Sequence, residues 1–186
     1  NYNMMKSRPD IIPVGAIIED GSPASYTTPG APLLVCAPGG EAGLLSMRTT
    51  DLMGGFGQNA GSTAGDLVDP DYTANFSGTS ASAPIVTGVI TLLLQANPTL
   101  GWRDVQEILI RSALKVRSSD PDWATNPAGF HFHPYYGAGL VQAKAAVDLA
   151  AGWTMLGQQR SEVVLARDLD LTIPDNRFSS AKHGFV

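Results

Sequence analysis

Apolar and polar positions follow three different regimes along the chain. Near the N-terminus the apolar residues come in short, almost unbroken runs, over residues 11–18 and 31–37. Glu19-Asp20-Gly21-Ser22-Pro23 closes the first run and Pro38-Gly39-Gly40 the second, both turn compositions. Short runs without a polar face predict strands covered on both sides, as in a parallel sheet flanked by helices. Over residues 41–74 the apolar signal has no period, and Gly, Thr, Asp and Asn dominate, so this segment reads as a long loop.

Helical spacing then takes over. Across residues 80–96, Ile85, Val86, Val89, Ile90, Leu92, Leu93 and Leu94 cover most of the circumference, which predicts a buried helix. Pro84 is placed in its first turn, where a missing N–H is tolerated, and Asn97-Pro98 ends it. A second helix is predicted over residues 102–114, with Val105, Ile108, Leu109 and Ala113 on one face and Arg103, Glu107 and Arg111 on the other. A third is predicted over residues 140–150, after Tyr136-Gly137-Ala138-Gly139. Residues 157–162 read as a polar linker, and a strand-like pattern starts at Val163.

Composition mainly excludes. Apolar residues make up 44% of the 186, enough for a packed core. The 12 basic and 17 acidic side chains leave a net charge of −5, with no basic stripe to neutralise phosphates, so no nucleic-acid partner is expected. The longest near-continuous apolar stretch, residues 89–94, falls far short of the ~18 residues of a membrane span, so none is expected. Cys36 stands alone, which excludes an internal disulfide and a cysteine-based zinc site; in its apolar run it reads as a small core residue. The start at Asn1, without initiator Met or signal peptide, reads as that of a piece of a longer protein.

The strongest chemical signal is Asn75-Phe76-Ser77-Gly78-Thr79-Ser80-Ala81-Ser82-Ala83-Pro84. A serine entering a helix through a glycine turn has its hydroxyl at the positive end of the helix dipole. Its own backbone N–H is free to bind an oxyanion. On these grounds alone Ser80 serves equally well as a nucleophile or as an N-cap.

The run Gly78-Thr79-Ser80-Ala81-Ser82-Ala83-Pro84, followed by Gly88-Val89, resembles the nucleophile motif of the subtilisin-like serine peptidases. Leu94-Gln95-Ala96-Asn97-Pro98 and Trp102-Arg103-Asp104-Val105-Gln106 are similar to the helix pair that follows it in the kexin/furin-like branch. Asp122-Trp123-Ala124-Thr125-Asn126 and Tyr136-Gly137-Ala138-Gly139-Leu140-Val141-Gln142-Ala143 continue the likeness in order. Leu171-Thr172-Ile173-Pro174-Asp175-Asn176 resembles the opening of a P domain. The resemblance implies an α/β three-layer sandwich with a mostly parallel sheet, present as its C-terminal portion over residues 1–156. A linker over 157–162 and the first strand of a P domain over 163–186 would follow.

For function, the resemblance implies hydrolysis of peptide bonds in protein substrates through a Ser-His-Asp triad, at basic processing sites. It makes Ser80 the nucleophile and places Thr79 and Asn3 at the substrate. Asn3 stands where kexin-like enzymes carry an aspartate, and an amide cannot supply that charge to a basic side chain. The catalytic His and Asp and the oxyanion Asn match nothing here and are expected before Asn1. Calcium is implied as a cofactor with no site assigned, since Thr28 stands where a relative has a calcium-binding carboxylate. Polypeptide substrates and a propeptide are the implied partners, and a secreted, periplasmic or cell-surface location the implied home.

The other candidates read as structural. His131 and His133 fall in a hairpin region, where packing is the commoner role and metal ligation by His-x-His the rarer. His183 lies in a tail without resemblance. The clusters Asp66, Asp69, Asp71 and Asp168, Asp170, Asp175 read as solvated loop carboxylates, and the Asn75-Phe76-Ser77 sequon as chance. An α/β-hydrolase esterase is disfavoured because Ser82 stands where its nucleophile elbow needs glycine. A non-catalytic, peptide- or partner-binding module stays open, because the chain offers Ser80 no base.

Overall fold

The computed structural model describes residues 8–157 and 159. Asn3, His183, the acidic cluster at Asp168–Asp175 and the expected P-domain strand lie outside them. The chain up to Leu156 makes one compact unit.

The two apolar runs form the parallel strands β1 (Val14–Ile17) and β2 (Val35–Pro38), in register from Val14 opposite Val35 to Ile17 opposite Pro38. Period-two alternation sends successive β2 side chains to opposite faces. Val35 and Ala37 enter a core built with Val86, Val89, Leu93, Val105, Ile108 and Leu109, whereas Cys36 enters a second one with Ile17 and Tyr136. Both faces are dry, which is why no polar position interrupts the run. The three helices α1 (Thr79–Ala96), α2 (Trp102–Ser112) and α3 (Ala143–Ala151) all pack on the first face. Among the described residues the second face is covered by Val116, Trp123, Tyr135 and Leu140 rather than by a helix.

Several boundaries differ from the periodicity for identifiable reasons. α2 stops at Ser112 and α3 starts at Ala143 because the intervening ends are recruited to the sheet. Leu114 and Leu140 exchange backbone hydrogen bonds of 2.8 and 2.9 Å, and Val141 N–H donates to Cys36 O at 3.0 Å. The presumed loop over residues 41–74 is partly a two-stranded antiparallel ribbon, β3 (Met47–Thr50) with β4 (Tyr72–Phe76). A short antiparallel pair, β5 (Ala124–Thr125) and β6 (His131–Phe132), follows α2.

α1 corrects two expectations. Its buried positions, Ala81, Ser82, Val86, Val89 and Leu93, form a single stripe, and Leu92 and Leu94 face solvent, because nothing described packs on the opposite side. Pro84 sits in the second turn, the sixth helical residue, so its missing N–H leaves the Ser80 carbonyl without its helical donor. With 18 residues of mean hydropathy 1.4, α1 is also long and apolar enough to cross a membrane by length and composition. Its stripe instead packs into the core with β2, α2 and α3.

Asp104 ties the C-terminal end of this unit to α2. It is 3% exposed. Its carboxylate accepts from Gly101 N–H at 2.9 Å, Trp153 Nε1–H at 2.8 Å and Leu156 N–H at 2.8 Å. Burial pushes its pKa up, but these three donors, with Arg103 nearby, outweigh burial and hold it below the usual carboxylate value.

Candidate active site

β2 ends in Pro38-Gly39-Gly40, and the chain returns from its ribbon to the same place through Gly78. Gly78 adopts φ 115° and ψ 171°, a backbone region open essentially to glycine alone, and serves as the N-cap residue of α1. Thr79 and Ser80 are therefore the first two helical residues, and both are solvent-exposed. Ser80 is not the cap, which removes the capping role from its side chain. Among the described residues its hydroxyl makes no hydrogen bond. Its backbone N–H is one of those a helix start leaves unpaired, since the first bond, Ala81 N–H to Gly78 O at 3.0 Å, lies beyond it.

Three residues lock this turn onto β2. The buried Ser82 hydroxyl lies 3.2 Å from Ala37 O and 3.1 Å from Pro38 O, its one proton shared between them. Gly78 N–H donates to Gly39 O at 2.9 Å and to Tyr26 Oη at 3.1 Å, while Tyr26 Oη–H donates to Gly40 O. Partial burial raises the Tyr26 pKa, so the phenol keeps the proton this bridge needs. Gly39 is required by closeness. A Cβ there would stand 2.7 Å from Ala16 Cβ and Ser82 Oγ and 2.8 Å from Tyr26 Oη. Sequence reasoning missed Tyr26 and Gly39 and treated Ser82 only as a non-glycine, because their partners are distant in the chain.

Beside this turn runs a cleft of about 280 Å³ lined by Thr79, Ala83, Tyr26, Thr28, Ile12 and Gly15, among others. Thr79 thus borders a groove open to a ligand next to Ser80. Among the described residues no histidine lines it. His131 and His133 instead pack against Trp123, with ring centroids 5.3 and 5.0 Å away.

The Nε2 of His133, a residue 2% exposed, stands 3.3 Å from Asp120 Oδ1, and Asp122 completes a trio whose ligand atoms lie within 4.8 Å of one another. Its chemistry opposes a metal. Tyr135 N–H donates to His133 Nδ1 at 3.1 Å, which places the imidazole proton on Nε2, where a metal would need a lone pair.

The loop acids correct a further expectation, since they organise the ribbon rather than merely facing water. Asp66 accepts from Ala74 N–H at 2.6 Å, Leu67 N–H at 2.8 Å and the Thr73 hydroxyl at 2.8 Å. Asp71 accepts from Gly54 N–H at 2.7 Å, and Asp51 from Asn59 N–H at 2.7 Å and Leu52 N–H at 2.8 Å. The Ala74 donor above all holds the Asp66 carboxyl below its ordinary value, and the Asn59 donor does the same for Asp51. With those donors aimed at them, Asp51 and Asp66 make a poor cradle for calcium, which wants six or more free oxygens. Burial pushes the Cys36 thiol up to about 12, consistent with an inert core residue.

A parallel strand pair that delivers a glycine-entered helix start with an unengaged serine is an α/β arrangement able to host a nucleophile. The chain belongs to the subtilase family, whose model matches residues 2–151. It is similar to PC3-like endoprotease variant B of Hydra vulgaris, 47% identical over 88 residues, covering 47% of this chain and 12% of that protein. Proprotein convertase subtilisin/kexin type 7 of Mus musculus is 36% identical over 157 residues, 83% of this chain and 19% of its own length. This chain therefore spans less than a fifth of either relative. Among solved structures, the serine protease of Aeromonas sobria is 31% identical with a TM-score of 0.72, over 78% of this chain and 30% of that one.

Proposed function

We propose that the chain is the nucleophile-bearing part of a serine endopeptidase that cleaves peptide bonds in protein precursors. The observation that carries this reading is Ser80, exposed and unengaged at a helix start clamped by Ser82, Tyr26 and Gly39, in a chain of the subtilase family. Ser80 Oγ attacks the scissile carbonyl, and its backbone N–H stabilises the oxyanion at the positive end of α1. Thr79 borders the substrate groove. The base that takes the Ser80 proton, the aspartate that orients it and the second oxyanion donor come from outside the described residues.

The named relatives, proprotein convertases and furin, support precursor processing at basic sites in the secretory pathway or at the cell surface. The chaperone complex of the Aeromonas sobria protease supports a folding partner such as a propeptide. Residues 157–186 are assigned to a linker and the start of a P domain, from the sequence likeness alone. A non-catalytic binding module is the second reading, favoured by the lack of a base near Ser80 among the described residues.

Fluorophosphonate labelling separates the two. The full-length protein labels at Ser80 and Ser80→Ala does not, whereas the 186-residue chain alone stays unlabelled. A full-length protein that does not label leaves only the binding module.

A further inference from the structure

Between β2 and α1 the chain makes an excursion built inside out. Its interior is polar: the two Nδ2 protons of Asn59, fully buried, are shared among Leu67 O and Tyr72 O at 2.8 Å and Asp69 O at 3.1 Å, and its Oδ1 accepts from Gly61 N–H at 3.0 Å. Asp51, Asp66 and Asp71 tie the surrounding backbone as described above. Several of its large apolar side chains point outward: Leu52 is 65% exposed, Met53 79%, Phe56 88% and Val68 95%, with Leu44 and Leu45 also exposed earlier in the segment. A loop held by a hydrogen-bonded skeleton while displaying Leu52, Met53, Phe56 and Val68 is organised for contact rather than for burial, and such surfaces on proteins mark sites of association.

Two observations choose the occupant. Both roots of the excursion are fastened to the nucleophile turn, through Gly78 N–H to Gly39 O and the Tyr26 bridge between Gly40 and Gly78. Anything seated on its tip is thus tethered to the same clamp that positions Ser80. The excursion also carries Glu41, Asp51, Asp66, Asp69 and Asp71 against the single cation Arg48, so its field selects basic chains.

We propose that the tip formed by Leu52, Met53, Phe56 and Val68 is an exosite for protein substrates, docking an apolar, positively charged stretch remote from the scissile bond. The proposal rests on the endopeptidase reading above. It assigns the excursion to the recognition of long substrates, while short peptides engage only the groove beside Thr79. The apolar contacts supply affinity and the acidic ribbon supplies orientation and a salt-sensitive on-rate.

The test uses the full-length protease with Leu52, Met53, Phe56 and Val68 all replaced by Ser. Three readouts are compared with wild type: fluorophosphonate labelling of Ser80, kcat/KM on a short chromogenic peptide, and kcat/KM on apocytochrome c, a basic unfolded chain, carrying the same cleavage sequence. Labelling and peptide cleavage stay at wild-type levels, while kcat/KM on apocytochrome c falls about tenfold through KM and loses part of its salt dependence. Equal kinetics of variant and wild type on apocytochrome c overturns the exosite. So does loss of labelling in the variant, which means that the tip is covered by the protein's own chain. Should wild type itself neither label nor cut the short peptide, the endopeptidase reading fails first, and that result is distinct from either.

Discussion

Asp104→Ala puts the packing logic to a quantitative test. The carboxylate is 3% exposed and is the shared acceptor for Gly101 N–H, Trp153 Nε1–H and Leu156 N–H, all within 2.9 Å. Removing it leaves up to three donors without their shared acceptor, in part-buried surroundings where water replaces it only incompletely. A hydrogen bond to a charged group is worth about 1.5–3 kcal/mol, so three of them, partly replaced by water once the carboxylate is gone, cost about 3–5 kcal/mol in all. Asp104→Asn, with its oxygen toward Trp153 and Leu156, keeps two of the three bonds but loses the charge and turns its amide NH2 toward Gly101 N–H, so it costs less than the alanine.

The same residue fixes a pH signature. Its folded pKa lies below the unfolded value because the three donors outweigh burial. Its contribution is then fully present above the unfolded value, near pH 4, and is lost as pH falls through the folded pKa. Urea unfolding of the protein, followed by tryptophan fluorescence with Trp153 as a local reporter, measures both effects. The gap between wild type and Asp104→Ala is about 3–5 kcal/mol at pH 7 and narrows below pH 4. A loss under about 1 kcal/mol at pH 7, or a gap that stays constant down to pH 3, refutes the reasoning.

Gly39→Ala forces a methyl against Ala16 Cβ, Ser82 Oγ and Tyr26 Oη at 2.7–2.8 Å, so the clamp must shift. The rate of Ser80 labelling in the full-length protein drops about tenfold with a stability loss of about 1–3 kcal/mol; wild-type labelling would show that the close approach does not position the serine. Cys36, fully buried with its thiol pushed up to about 12, resists alkylation by iodoacetamide at pH 8 until the protein unfolds. Rapid modification of the native protein contradicts its burial in the core with Ile17 and Tyr136.

Much of the helical architecture could be read from spacing, since apolar period records the environment of each residue along one element. α1 and α2 begin within a residue of their predicted starts. The errors lie where a residue's role depends on a distant partner. Leu140 has the composition of a helix start, yet it pairs with Leu114 and Cys36 and delays α3. The segment over residues 41–74 lacks period because its order is polar and local to Asn59 and the aspartates, so no hydrophobic face betrays β3 and β4. At the candidate site, the motif pointed to Ser80 and Thr79, which the structure places exposed at the start of α1. The clamp could not, because Ser82 reaches Ala37 across 45 residues and Tyr26 reaches Gly78 across 52.

By itself, then, the sequence determined the dry parallel strands, the helix that carries Ser80 and the family to which that serine belongs. Each of these is written in neighbouring residues: period, turn composition and a contiguous motif. Only the tertiary structure decided that Gly78 and not Ser80 caps α1 and that His133 holds its proton on Nε2. It alone showed that Asp104 anchors Trp153 and Leu156, and that the ribbon before α1 turns its hydrophobes outward. Those outcomes depend on which donor meets which acceptor after the chain has folded back on itself, and a one-dimensional pattern carries no record of that meeting.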